Sequence, residues 1–163
     1  MFIAILIIFV ILFLYVLLII RYYFGWSKTK NISQDIFSPK VSIIIAIRNE
    51  ENEIPKLLKS LQSQDYYINK LEVILVNDHS TDNTLSLLEN YDLDYLKIIN
   101  MPQGSSGKKD AISMAVSTAT GEIIVVSDAD CIFTPNWVIS MVSYFSNSNI
   151  KLVSGPVALK REL

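Results

Sequence analysis

The chain has 163 residues, 51% of them hydrophobic, and a formal net charge of −2 at pH 7. That length suits one globular domain, and the lack of a basic stripe excludes nucleic acid as an expected partner. The lone cysteine, Cys131, has no internal disulfide partner and reads as a packed core residue.

The hydrophobicity is concentrated at the start. Met1 to Ile20 carries no charged or strongly polar residue. As a helix this stretch spans about 30 Å, the thickness of a bilayer's hydrocarbon core. Arg21, Tyr22, Tyr23, Phe24 and Trp26 follow, then Lys28 and Lys30. An aromatic belt followed by positive charge places the downstream segment in the cytoplasm. The competing reading is a cleaved signal peptide, which calls for a basic stretch before a shorter apolar core and a small-residue cleavage site. No Lys or Arg precedes Arg21, and bulky aromatics fill the exit. The expected layout is a single transmembrane helix over residues 1–21, a juxtamembrane linker over 22–40 and a domain over 41–163.

From Val41 onward strands and helices alternate. Val41 to Ile47 is a continuous β-branched run and predicts a fully buried strand. Ile54, Leu57, Leu58 and Leu61 recur at helical spacing, with Pro55 tolerable in a first turn. Leu71 to Val76 predicts a second buried strand, and Thr81 to Asn90 a short helix with Ser80 as its N-cap. Tyr95 to Ile99 predicts a third strand, and Asn100 to Gly107 a Gly- and Ser-rich loop. Lys108 to Thr118 predicts a helix whose face is small: Ala111, Ala115 and Ala119. Glu122 to Ser127 predicts a fourth strand, its apolar run Ile123 to Val126 read as buried. Thr134 to Phe145 predicts a helix presenting Val138, Met141, Val142 and Phe145, and Lys151 to Val157 a fifth strand interrupted by Gly155-Pro156. The fold class is α/β: a Rossmann-like, mostly parallel sheet flanked by helices, preceded by one transmembrane helix.

In open α/β sheets ligands bind beyond the carboxyl ends of the strands. Three polar clusters fall at those ends: Arg48-Asn49-Glu50-Glu51, Asn77-Asp78-His79-Ser80 and Asp128-Ala129-Asp130. Two carboxylates one residue apart after an apolar strand suit a hard divalent cation, Mg²⁺ or Mn²⁺, with substrate phosphates completing its shell. A solvated strand-end turn is the other reading of Asp128 and Asp130. Asp78 suits a nucleotide's base or ribose, or an Asx-turn before the next helix. Gly104-Ser105-Ser106-Gly107-Lys108-Lys109 is not a P-loop: two residues separate its glycines where four are needed, and Lys109 stands where Ser or Thr should follow. Lys108 and Lys109 either face solvent or meet a diphosphate at a helix N-terminus. His79, the only histidine, reads as a loop residue without a catalytic task, since no Ser or Cys triad accompanies it.

These motifs carry a resemblance. Val41-Ser-Ile-Ile-Ile-Ala-Ile-Arg-Asn-Glu-Glu51 resembles the opening strand of family 2 glycosyltransferases, which have the GT-A fold. Val76-Asn77-Asp78-His79-Ser80-Thr81-Asp82-Asn83-Thr84 is similar to their second motif, Gly107-Lys108 with Ala111 to their lysine-bearing helix start, and Gly121 to Asp130 to their Asp-x-Asp strand. The resemblance covers roughly Val41 to Val157 and implies an incomplete GT-A domain. It implies metal-assisted transfer of a sugar, usually with inversion, from a nucleotide-sugar donor, commonly a UDP-sugar. Ala46 would belong to the donor site, the segment Arg48 to Glu50 would line the base and ribose, Asp78 would contact the base, and Lys108 the base or phosphate. Asp128 would bind the ribose or sugar side, and Asp130, with Asp128 beside it, the metal.

This sequence departs from the family at four positions. Ala46 stands where Pro is common, Arg48 where an aromatic often stacks, and Asn77 and His79 where Asp and Gly are commoner. After Asp130 the only acidic residue is Glu162, so the general base of an inverting transfer is expected beyond Leu163. The chain thus reads as the C-terminally truncated donor half of an enzyme acting on a lipid or envelope polysaccharide. A nucleotide-sugar-binding remnant without turnover is the alternative. A sugar nucleotidyltransferase is a weaker rival, since Arg48-Asn49-Glu50 lacks the Gly-rich, basic signature it would need.

Overall fold

A computed structural model describes residues 2–27, 37–91 and 93–158. The N-terminal helix α1 runs Phe2–Ser27. Its stretch Phe2–Gly25 is long and apolar enough to cross a membrane, with a mean hydropathy of 3.6 over an 18-residue window. Lys28 and Lys30 lie outside the described residues.

The domain is built from β1 (Val41–Ile47), α2 (Ile54–Gln62), β2 (Leu71–Asn77), α3 (Thr84–Glu89), β3 (Leu96–Asn100), α4 (Lys108–Thr118), β4 (Ile123–Asp128) and α5 (Trp137–Ser143). The four strands form one parallel sheet in the order β3-β2-β1-β4. Side chains alternate across a strand, so each central strand feeds two cores. Val41, Ile43, Ile45 and Ile47 join Val73 and Leu75 beneath α2, α3 and α5. Ile44, Ile74 and Val76 face α4, where Ala111 and Ala115 are completely buried. Each fully buried Ile stabilises the fold by about 1.5–3 kcal/mol. The small face of α4 lets that helix lie close on the middle of the sheet.

The starting ends of the strands are tied by a polar knot. Buried Glu72 accepts hydrogen bonds from Ser42 Oγ at 2.5 Å, Lys97 Nζ at 2.5 Å and the Thr120 N–H at 2.9 Å. Ser42 Oγ in turn accepts from the Gly121 N–H at 2.8 Å. Burial pushes the Glu72 carboxyl up, but these donors outweigh it and hold it at about 2. Ser38 to Lys40 are bonded to the same rim: Lys70 Nζ donates to Ser38 O at 2.7 Å, and the Glu122 N–H to Lys40 O at 2.7 Å.

The structure corrects four expectations. The third helix begins at Thr84, and Ser80 is not its N-cap, because Ser80 to Asn83 bond to a neighbouring loop instead. Among the described residues the fourth strand is an edge: Ile124 and Val126 are 37% and 47% exposed, since β4 pairs there with β1 alone and α4 lies over β1 and β2. Residues 151–158 are irregular, with no strand at Lys151 to Val157; Pro156 has no N–H to give a ladder. The last helix starts at Trp137 and ends in a 3₁₀ turn at Tyr144–Ser146. Cys131 is half-buried against the rim of the larger core.

Candidate functional site

The three polar clusters meet at the carboxyl ends of β1, β2 and β4. The loops after β1 and β2 are stitched together by backbone-to-side-chain bonds. The Asn49, Glu50 and Glu51 N–H groups donate to Ser80 Oγ (3.0 Å), Thr84 Oγ1 (2.8 Å) and Asp82 Oδ2 (3.2 Å). In return the Thr81 and Asn83 N–H groups donate to Asn49 Oδ1 (2.8 Å) and Glu51 Oε2 (2.9 Å). Asp82 also accepts from the Thr84 N–H at 3.0 Å, and its bonds with Thr84 hold its carboxyl below the usual range. Glu51, Asp82 and Thr84 were not singled out from the sequence. Glu51 stood in the first polar cluster without a role, and the only signal for Asp82 and Thr84 was the polar run Asp78 to Thr84, which reads equally well as a helix cap.

Asn49 and His79 both adopt left-handed backbone, with φ of 55° and 53°. Asn and His enter this region more readily than other side chains, but it is uncommon for any residue except glycine. Position 79 therefore has the conformation that a glycine takes easily. The imidazole is tied to the next loop, with Nε2 2.9 Å from Ser105 O.

Asp78 is the buried acid of the site. Its N–H donates to Ile47 O at 2.8 Å, and its Oδ2 accepts from the Gly107 N–H at 2.9 Å. The exposed Arg48 guanidinium lies 3.7 Å from the same oxygen. Oδ1 is buried and has no partner among the described residues. A buried acceptor left unpaired costs about 1–3 kcal/mol, and this oxygen is open to a donor that the described residues do not supply.

Asp128 ends β4, beside Ala46 of β1 in register. Ala46 brings no polar group; it packs against the smaller core. Ala129 is 5% exposed and anchors the following turn in the larger core, while Asp128 and Asp130 on either side are exposed. Lys108 Nζ donates to Asp128 Oδ1. Glu50 is half-buried near Asp130: desolvation, then the Asp130 charge, then Glu53 and Asp82 push its carboxyl above the usual range. All of the predicted site residues thus gather at one sheet edge, Ala46 as a packing residue only.

Asp128 and Asp130 offer oxygen donors alone, which fits a hard Mg²⁺ or Mn²⁺. Among the described residues no group of three or more His, Cys, Asp or Glu gathers to hold a metal. Two carboxylates leave most of a coordination shell for phosphate oxygens and water. A groove lined by Lys40, Leu71, Glu72, Tyr95 and Lys97 opens at the other end of the sheet, where the Glu72 carboxylate is already bonded.

The sequence profile described as glycosyl transferase family 2 matches residues 42–161. A beta-monoglucosyldiacylglycerol synthase of Nostoc sp. is 34% identical over 118 residues, which is 71% of this chain and 25% of that protein. A mannosyltransferase of Pyrobaculum calidifontis, solved in complex with GDP-Man and Mn²⁺, superposes with a TM-score of 0.68 at 30% identity. That match covers 78% of this chain and 40% of the other. TarS residues 1–349 of Staphylococcus aureus, solved with UDP-GlcNAc, superposes with a TM-score of 0.62 at 28% identity, over 74% of this chain and 37% of the other. The chain spans about a quarter of the length of the Nostoc relative.

Proposed function

Because the chain belongs to glycosyl transferase family 2, we propose that its α/β domain holds a nucleotide-diphosphate sugar, a UDP-sugar first among them, for transfer to a lipid or polysaccharide. One observation carries this reading: the buried, partnerless Oδ1 of Asp78 at the sheet edge that also bears Asp128 and Asp130. An N–H on the edge of a nucleobase is the donor that oxygen lacks. Arg48 adds a planar guanidinium beside it, suited to stacking on a base. Glu50 follows β1 at the same sheet edge. The solved relatives with GDP-Man and with UDP-GlcNAc support the ligand class.

Asp130 and Asp128 would hold Mg²⁺ or Mn²⁺, and Lys108 would face the diphosphate from the N-terminus of α4, where the helix end itself favours anions. When bound, such a metal supplies a Lewis acid that neutralises charge on the leaving diphosphate. An inverting transfer also needs a general base, a role assigned to none of the described residues. Helix α1, with Arg21 and the aromatic residues at its end, is proposed as a membrane anchor that leaves the domain in the cytoplasm.

Titration calorimetry on the full chain in detergent micelles tests the reading. UDP should bind in the presence of Mn²⁺, and Asp130→Asn should remove the Mn²⁺ dependence. Undiminished UDP affinity with Mn²⁺ in Asp130→Asn would take that residue out of the metal's shell.

A further inference from the structure

The structure shows the N-terminus of α4 gripping both acidic ends of the site at once. Gly107, at φ 98°, donates its N–H to Asp78 Oδ2 at 2.9 Å. The next residue, Lys108, sends its ammonium to Asp128 Oδ1. The lysine backbone is therefore fixed by the acid assigned to the base, while its side chain rests on an acid assigned to the metal. The two contacts differ in kind. Asp78 is buried, and its bond with Gly107 is set by the loop. Lys108 and Asp128 are 57% and 55% exposed, and an exposed pair of this kind is weak and easily exchanged.

We propose that Lys108 and the divalent cation compete for Asp128, and that the donor's diphosphate ends the competition by giving Lys108 a second partner. This rests on the donor reading of the site. An ammonium hydrogen-bonded to Asp128 occupies lone pairs that a metal ligated there requires, and its positive charge repels the incoming ion. The lysine side chain is long and unbranched, so it can swing from a carboxylate to a phosphate while Gly107 and Asp78 keep its Cα in place. Metal and nucleotide then strengthen each other's binding through Lys108, in addition to any direct contact between metal and phosphate. Linkage makes that coupling reciprocal. Lys108 is on this account a positioning residue, and removing it has opposite effects on the two ligands.

Mn²⁺ binding to the full chain in micelles, read by loss of the free-ion electron paramagnetic resonance signal, tests this without any turnover. Lys108→Met keeps the length of the side chain and its helix preference but removes the charge. Mn²⁺ alone should bind Lys108→Met at least about fivefold more tightly than wild type, the low end of couplings between sites. UDP should bind the variant more weakly, and the factor by which UDP tightens Mn²⁺ should shrink. Lys108→Arg should return the Mn²⁺ affinity toward that of wild type. A role confined to holding the fold would not make the variant a better metal binder. Unchanged or weaker Mn²⁺ binding in Lys108→Met, or no Mn²⁺ binding to either protein, overturns the proposal. Nucleotide binding by wild type in that event leaves the donor reading standing. If wild type binds no nucleotide with or without Mn²⁺, the donor reading falls, and the proposal that rests on it falls too.

Discussion

The two ends of the sheet each bury a carboxylate, and they treat it in opposite ways. At the starting ends of the strands, Glu72 is surrounded by Ser42, Lys97 and Thr120, and both of its oxygens are engaged. At the carboxyl ends, Asp78 has one oxygen bonded to Gly107 and the other buried without a partner. The first arrangement is complete within the chain, so its carboxylate serves the fold. The second is incomplete among the described residues, so its carboxylate has an acceptor that the fold does not use. The paired lysines repeat the contrast. Lys97 neutralises a carboxylate that is 7% exposed, whereas Lys108 neutralises one that is 55% exposed.

The largest expected effect lies at the closed end. Glu72→Gln replaces an acceptor-only group with an amide that must turn a donor toward other donors. The displacement of the Glu72 carboxyl from 4.5 to about 2 corresponds to roughly 3 kcal/mol of stability. Denaturant unfolding of the full chain in micelles should show that loss while UDP affinity stays near wild type. The pH dependence has a fixed sign. The folded value lies below the unfolded one, so the stabilisation is present above pH 4.5 and is lost as pH falls toward about 2. Glu72→Gln should flatten the acid limb in that window; an unaltered limb would show that Glu72 is not the group responsible. Gly121→Ala acts on the same knot with a smaller effect. A Cβ there would overlap the Ser42 backbone nitrogen and lie 2.7 Å from Ser42 Oγ and 2.8 Å from the Val41 carbonyl carbon. Backbone cannot swing aside, so a cost of about 1–3 kcal/mol is expected, read as a lower unfolding midpoint.

Asp78→Asn tests the open end and should show the reverse profile. The amide keeps the shape of the side chain but presents an N–H₂ or a weaker acceptor to the base. UDP affinity should fall about tenfold, equal to about 1.4 kcal/mol. Stability should move little, because no complete bonding arrangement is broken. An affinity within experimental error of wild type would remove Asp78 from the base site, and with it the observation on which the donor reading chiefly depends.

What the sequence made legible follows from what local pattern can encode. β1 and β2 are central, so their continuous apolar runs reported true burial on both faces. The run Ile123 to Val126 has the same composition, but whether a strand is central or at an edge depends on sheet order, which a run of residues does not contain. The small face of α4 was readable because Ala111 and Ala115 repeat at helical spacing. The Glu72 knot was not, because its partners lie 25, 30 and 48 residues away and one Glu in an apolar strand looks like an exception. At the site, Asp78, Asp128 and Asp130 could be placed by their positions at strand ends. The Lys108–Asp128 pair and the stitching of Asn49 to Glu51 onto Ser80 to Thr84 required the loops to be folded against each other. Helix α3 was misjudged at its start for the same reason, since side chains that look like caps were bonding across the gap.

The smallest effects sharpen the contrast between the two lysines. Lys97→Met removes the counter-charge of a buried carboxylate that keeps its bonds from Ser42 and Thr120. Lys97 is itself 52% exposed, so solvent replaces part of what is lost, and a cost of about 1 kcal/mol is expected rather than the larger penalty of a fully buried pair. Lys108→Met removes a pair exposed on both sides and should change stability by less than about 0.5 kcal/mol. The two variants lose the same group from the same residue type, so chain entropy and solvation of the free lysine largely cancel in the difference. Unfolding both in parallel therefore isolates the state of the carboxylate each one leaves behind. Equal costs would mean that Glu72 is held as loosely as Asp128. A clear gap, with Lys97→Met the less stable, would show that the fold depends on the closed end and leaves the open end free to exchange its partners.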